Sequence, residues 1–147
     1  MNFKKGILLG ITSGIVASGV SILYNKVYSD AFYIDFHTVL NALGMIIACM
    51  IGCILMALGY VIAARLKRPL LIPILNVLYC ILSFASIIGV LSFKLPLDVE
   101  FPEMFPGLAI PMHFFPALSF FALVPFFWKH EHIINTKKND QPELIDN

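Results

Sequence analysis

His113 has the clearest capacity for chemistry in this chain, because it lies in a long apolar run between Pro111 and Pro116. Ionisable groups in apolar helices are expensive at membrane depth, and they face a partner or a cavity. Pro116 has no backbone N–H to donate to the carbonyl of Met112, so an acceptor is left free beside the imidazole. We expect His113 to line a polar, ligand-binding pocket. The alternative is a neutral histidine that hydrogen-bonds to a neighbouring helix and is purely structural.

Further polar residues fall at a similar depth in the other apolar runs. His37 precedes the second run. Asn41 lies one helical turn after His37, on the same helix face. Serines at a comparable depth are Ser18, Ser21, Ser83 and Ser86. We therefore predict a ligand-binding cavity between the helices, with four candidate residues: His113, His37, Asn41 and Ser86. Alternatively, His37 caps the start of a helix and Asn41 joins neighbouring helices.

The remaining histidines and the cysteines do not point to a metal or a cofactor. His130 and His132 are two residues apart, so their side chains diverge on a helix. Cys49 and Cys53 are four residues apart and form no Cys-x-x-Cys pair. A haem held by two histidines would need ligands at equal depth, which the sequence does not provide. We expect no catalytic residue, no metal site, no cofactor and no nucleic-acid binding.

Four apolar runs without Asp, Glu, Lys or Arg must position these residues. They are Ile7–Tyr24, Thr38–Ala64, Pro69–Phe93 and Leu108–Trp128. About 20 helical residues cross a hydrocarbon core, so each run is long enough to span a membrane. The composition agrees, with 59% hydrophobic and 13% charged residues. We predict an all-α polytopic membrane protein, a single domain over residues 1–147 that forms a four-transmembrane-helix bundle. The alternative for the first run is a cleaved signal peptide.

The positive charges lie on one side of the four runs. Eight Lys and Arg residues flank them on that side and two, Lys26 and Lys94, lie on the other. Cytoplasmic segments carry the excess of Lys and Arg. Both termini are therefore predicted to be cytoplasmic (N-in and C-in) in a bacterial cytoplasmic membrane, with residues 134–147 as a polar cytoplasmic tail.

Small residues recur every four positions in the first two runs. They include Gly6, Gly10, Gly14, Gly44 and Gly52. Close backbone approach at small residues holds helices together in lipid. We expect these glycines to pack the first two helices within one chain or between copies, as a homo-oligomer or in a larger membrane complex.

Proline shapes the last part of the chain. The connector Leu95–Gly107 holds three prolines and three acidic residues, and we expect it to fold onto the membrane face as a cap. Three more prolines in the fourth run predict a bent helix.

The fourth run also carries a resemblance. The residues concerned are Pro106 and Gly107 just before this run, Pro111, Met112 and His113 within it, and Pro125 near its end. This pattern resembles a group of small bacterial four-helix membrane proteins in which a Pro-x-His element opens the last helix. The resemblance implies the architecture and no activity. Pro116 departs from the small residue expected three positions after the histidine.

Three functional hypotheses are compatible with this sequence. The first is a non-enzymatic helper subunit or a binder of a small amphipathic or lipid-like ligand, with its site in the outer half of the bundle. The second is a small transporter or channel protomer that works as an oligomer. The third is a membrane enzyme acting on lipid or quinone, with His113 as its acid and base.

Overall fold

The chain is mostly helical where its structure is described. The computed structural model describes residues 3–66, 70–95 and 101–139, and these contain no strand. The helices are α1 (Phe3–Phe32), α2 (Ala42–Arg65), α3 (Leu71–Ser92), a short 3₁₀ helix (Pro102–Met104), α4 (Phe105–Met112) and α5 (Phe115–Asn139). Four helical segments are long and apolar enough to cross a membrane, the last running from Pro102 to Phe127. The predicted all-α fold and its four candidate spans are confirmed to this extent.

The first and last helices extend beyond their apolar runs. In α1 the helix continues eight residues past Tyr24, to Phe32. There Lys26 and Asp30, four residues apart, form an ion pair of 3.5 Å. In α5 the helix continues past Trp128 to Asn139, so part of the predicted polar tail is helical, and residues 140–147 lie outside the described residues. Backbone hydrogen bonds do not depend on apolar side chains, so a helix can continue past the end of its apolar run.

α1 and α2 pack closely along the glycines of α1. A Cβ atom on Gly10 would lie 3.0 Å from Cβ of Ala57 and 3.1 Å from Cα of Ile54. A Cβ on Gly14 would lie 3.1 Å from Cα of Met50. The glycine stripe of α1 therefore brings two backbones together within one chain. A contact between copies through Gly6, Gly10 and Gly14 would require this internal contact to open, because all three are buried in the chain itself.

One core lies where α1, α2 and α5 meet, and α3 stands at its side. Leu9, Cys53, Tyr60 and Phe120 are fully buried there. In α3, by contrast, only two residues are buried, Tyr79 in this core and Val90 near the far end.

Polar contacts fasten α3 to α2. The hydroxyl of Tyr79 donates to the carbonyl of Met56 at 3.0 Å, and the hydroxyl of Tyr60 donates to Oδ1 of Asn76. An amide side chain in an apolar helix needs a partner, so the sequence predicts an interhelical hydrogen bond at Asn76, and Tyr60 supplies it.

A second buried cluster closes one end of the bundle, which we name the cap end (residues 33–41 and 101–109). Phe36 and Phe105 meet there edge to face, with ring centres 5.5 Å apart. The extended part of α1 reaches it, because the hydroxyl of Tyr28 donates to the carbonyl of Met104 at 2.9 Å. A Cβ on Gly107 would lie 2.6 Å from that hydroxyl, so glycine is needed for this approach. The described part of the predicted cap thus packs on the helices, while residues 96–100 lie outside the described residues.

The opposite end, which we name the Arg65 end, brings together the start of α1 and the end of α2. The guanidinium carbon of Arg65 lies 6.0 Å from the centre of the Phe3 ring, a distance at which a cation is attracted to an aromatic face. The connector between the second and third apolar runs lies partly outside the described residues.

The fourth segment is interrupted between α4 and α5, as its prolines predict. The amide of His113 donates to the carbonyl of Ile110 and that of Phe114 to Pro111, both three residues back. The regular four-residue spacing resumes when Leu118 donates to Phe114 at 2.9 Å. Pro116 has no backbone N–H and so donates no hydrogen bond in this first turn of α5. His113 therefore lies at the break itself.

Candidate functional site

A cavity of about 490 Å³ lies between α2 and α3, in the half of the bundle nearer the cap end. The break between α4 and α5 forms its third wall, and α1 reaches it through Ser21. Most of its lining is aliphatic. Its polar lining residues are Ser21, Cys49, Tyr79, Ser83, Ser86 and His113. None of the lining residues is Asp, Glu, Lys or Arg.

The small residues of α2 create this space. Gly44, Ala48 and Gly52 are spaced by four and all line the cavity. A Cβ on Gly52 would meet its nearest neighbour, Cβ of Pro116, only at 3.7 Å. Within this chain Gly44 and Gly52 line the cavity, and their predicted role in packing between copies stays a prediction. α3 is held at Tyr79 on one side and Val90 on the other, and it does not close onto the stripe between them.

His113 lines the cavity and is held by its own chain. Its Nδ1 lies 2.8 Å from the carbonyl oxygen of Ala109. That carbonyl is four residues back and would normally accept from the amide of His113, which donates to Ile110 instead. The expected partner was the carbonyl of Met112 or a neighbouring helix. The break in the helix frees a different acceptor, and the imidazole takes it.

This hydrogen bond decides the tautomer of the imidazole. A carbonyl oxygen can only accept, so Nδ1 must carry a proton. In the neutral ring Nε2 is then an acceptor without a hydrogen. No hydrogen-bond partner for Nε2 is present among the described residues. His113 therefore lines the cavity with one ring nitrogen, Nε2, that keeps a lone pair for a ligand.

Ser86 is the second predicted residue that the structure places in the cavity. Its hydroxyl donates to the carbonyl of Ser83 at 2.7 Å, and both serines belong to the lining. On the opposite wall Oγ of Ser21 lies 3.5 Å from Sγ of Cys49. Ser18 does not line the cavity. Its hydroxyl donates to the carbonyl of Gly14 within α1.

His37 and Asn41 do not line the cavity, contrary to the prediction. Asn41 is the N-cap of α2, and its Oδ1 accepts from the amide of Gly44 at 2.6 Å. The side chain thus satisfies one of the amides that a helix start leaves unpaired. The amide of His37 donates to Oδ1 of Asp35 at 2.8 Å, in a turn that buries Phe36 and leaves His37 exposed. Both residues shape the start of α2, which carries Gly44 into the cavity wall.

Sequence reasoning missed Tyr79 and Cys49 as lining residues. A signal for Tyr79 was present, because it follows Asn76 by one helical turn on the face that meets α2. Cys49 lies one residue from Ala48 and Met50 in an apolar helix, and nothing in its surroundings sets it apart.

Among the described residues, no group of three or more His, Cys, Asp or Glu side chains lies close enough to hold a metal ion. Comparison of the chain with protein-family models, with curated proteins and with solved structures finds no significant match. The resemblance of the last helix to small four-helix membrane proteins therefore adds no activity, and function must be inferred from the cavity.

Proposed function

We propose that this chain is a multi-pass protein of a bacterial cytoplasmic membrane that binds a small amphipathic or lipid-like ligand between α2 and α3. The cavity is the observation that carries the proposal. Its volume of about 490 Å³ lies within the roughly 300–1,000 Å³ of small-molecule sites, which are mostly apolar with a few convergent polar groups. A non-enzymatic binder, alone or as a helper subunit, fits this lining.

The surface supports placement in a bilayer. Large apolar side chains are exposed along α3, among them Ile81, Leu82, Phe84 and Ile88. In water such a face would be costly, whereas lipid covers it. The asymmetry of Lys and Arg supports an orientation with the Arg65 end in the cytoplasm and the cap end outside. In that orientation the cavity lies in the outer half of the bundle.

Reporter fusions test the orientation. Fusions after Asn147 and between Arg65 and Pro69 are expected to report the cytoplasm, because the flanking positive charges resist transfer across the membrane. Fusions near Asp30 or Asp98 are expected to report the outside. An external signal from the fusion after Asn147 would contradict the proposed orientation.

A cavity-filling substitution tests the binding. Gly52→Leu places an isobutyl group in the cavity, and the backbone has room for its Cβ. Gly89→Leu is the matched control, because a Cβ on Gly89 would meet nothing within 4 Å and Gly89 does not line the cavity. We expect amphipathic molecules that co-purify with wild type, identified by mass spectrometry, to fall at least about tenfold in Gly52→Leu. Their amount is expected to be unchanged in Gly89→Leu. Equal amounts in both variants would contradict a ligand in this cavity.

Two alternatives make different predictions. A channel would need a path to the Arg65 end, where Tyr60, Tyr79 and Phe120 fill the space below the cavity, so a single chain favours binding over conduction. A membrane enzyme acting on lipid or quinone is favoured by one observation, the accessible lone pair on Nε2 of His113. Turnover of a bound lipid or quinone that stops in His113→Leu would favour that alternative.

A further inference from the structure

Three hydrogen-bond donors that line the cavity are used by the protein. Nδ1 of His113 donates to Ala109, the hydroxyl of Ser86 to Ser83, and the hydroxyl of Tyr79 to Met56. Oγ of Ser21 and Sγ of Cys49 form one hydrogen bond, in which either group can be the donor. What these groups retain is acceptor capacity: Nε2 of the imidazole and the lone pairs of the hydroxyl oxygens.

The cavity also excludes charge. Its lining contains no acidic or basic side chain apart from the imidazole. Burying an ionised group without a partner is very costly, so a phosphate, a quaternary ammonium or an isolated carboxylate would be poorly held. A ligand that satisfies this site is neutral, is apolar over most of its surface, and brings one hydrogen-bond donor for Nε2 of His113.

We propose that the ligand is an uncharged lipid alcohol whose hydroxyl donates a hydrogen bond to Nε2 of His113. The chain of the alcohol lies along the aliphatic wall of α2 and α3. This inference rests on the proposed function, because it names the ligand class of the same cavity. The experiment below separates failure of the two.

Three probes of equal chain length distinguish the ligand classes: 1-dodecanol, its methyl ether and dodecanoate. The ether keeps the oxygen and loses the donor, and the carboxylate adds charge. Binding is measured in nanodiscs of phosphatidylcholine, whose headgroup contains no hydroxyl. We expect the alcohol to bind the wild-type protein about tenfold more tightly than the ether, which corresponds to about 1.4 kcal/mol.

His113→Asn is the informative variant. The amide nitrogen of Asn occupies nearly the position of Nδ1 and can still donate to Ala109, while Nε2 is removed. We expect the variant to fold and to bind the alcohol and the ether equally. Gly52→Leu is expected to weaken both, because it fills the cavity.

A measurement on the unperturbed site keeps the proposal testable if His113→Asn fails to fold. In a chain whose other three histidines are replaced by Ala, the ¹⁵N spectrum should show His113 protonated at Nδ1. Adding dodecanol should shift the Nε2 resonance, and adding the ether should not.

Each remaining outcome overturns one of the two claims. Equal binding of alcohol and ether to the wild-type protein, with both weakened by Gly52→Leu, overturns the lipid alcohol and leaves the cavity as a binding site. Preference for dodecanoate also overturns it, in favour of a protonated imidazole that pairs with an anion. If Gly52→Leu changes the binding of none of the probes, the proposed function itself fails. An unmoved Nε2 resonance at saturating dodecanol removes His113 as the acceptor.

Discussion

Gly10→Leu is expected to lower the free energy of unfolding by about 3 kcal/mol, the upper part of the usual range for overpacking. Even the first added carbon would lie 3.0 Å from Cβ of Ala57, 3.1 Å from Cα of Ile54 and 3.2 Å from the carbonyl oxygen of Cys53. Two of these atoms belong to the α2 backbone and cannot rotate away. α1 and α2 would have to separate, and the close contact between their backbones would be lost.

Gly19→Leu is the matched control for this prediction. Gly19 also belongs to α1, and a Cβ there would meet nothing within 4 Å. Its unfolding midpoint in mixed micelles should equal that of wild type, while Gly10→Leu should unfold at a lower denaturant fraction. If both variants unfold at the wild-type midpoint, the described contact between α1 and α2 is not what stabilises the chain.

Phe120→Ala is expected to cost about 3–5 kcal/mol, the range for removing a large buried aromatic side chain. Phe120 is fully buried. Its ring meets Tyr60 edge to face at 5.1 Å between centres and Tyr79 at 6.3 Å. Removing it leaves a void where α2, α3 and α5 meet. Because Tyr79 also lines the cavity, ligand binding should weaken in the same variant.

Phe126→Ala provides the comparison, because Phe126 is 77% exposed in the isolated chain. The same atoms are removed from a side chain that we expect to face lipid, so the unfolding midpoint should change little. A similar loss of stability in both variants would indicate that Phe126 is buried against a second chain. That result would favour an oligomer.

The proposed function depends on a helix that is held loosely. α3 contributes Ser83 and Ser86 to the cavity, yet it buries only Tyr79 and Val90. Few buried contacts imply a low cost of local opening. We expect α3 to move away from α2 when a ligand enters from the bilayer, and the hydrogen bonds of Tyr79 and Asn76 to act as the attachment that remains.

The local sequence was sufficient to predict the four long apolar helical segments and the bend near His113. Uninterrupted apolar runs indicate helices long enough to span a membrane, since polar backbone groups in lipid must be satisfied within the segment. Pro111 and Pro116 indicate the interruption because proline has no backbone N–H to donate. Asn76 was also predictable as an interhelical contact, because an amide side chain in an apolar helix needs a partner.

Tertiary structure alone decided which polar residues share a site. Small residues are spaced by four in both α1 and α2, yet Gly10 and Gly14 meet a backbone while Gly44 and Gly52 face a cavity. The spacing states only that one face is small, and the position of α3 determines whether that face is filled. His37 and Asn41 lie at a suitable depth, but Asn41 caps α2, the backbone amide of His37 donates to Asp35, and both residues are exposed.

The role of His113 shows the same division. Its position at membrane depth follows from the sequence. Its hydrogen bond follows from the change to three-residue spacing at the break, which frees the carbonyl of Ala109 rather than that of Met112. Which carbonyl is released depends on the backbone angles adopted around two prolines packed between α1 and α3. The packing of the whole chain sets those angles. The angles in turn determine which nitrogen of His113 remains available to a ligand.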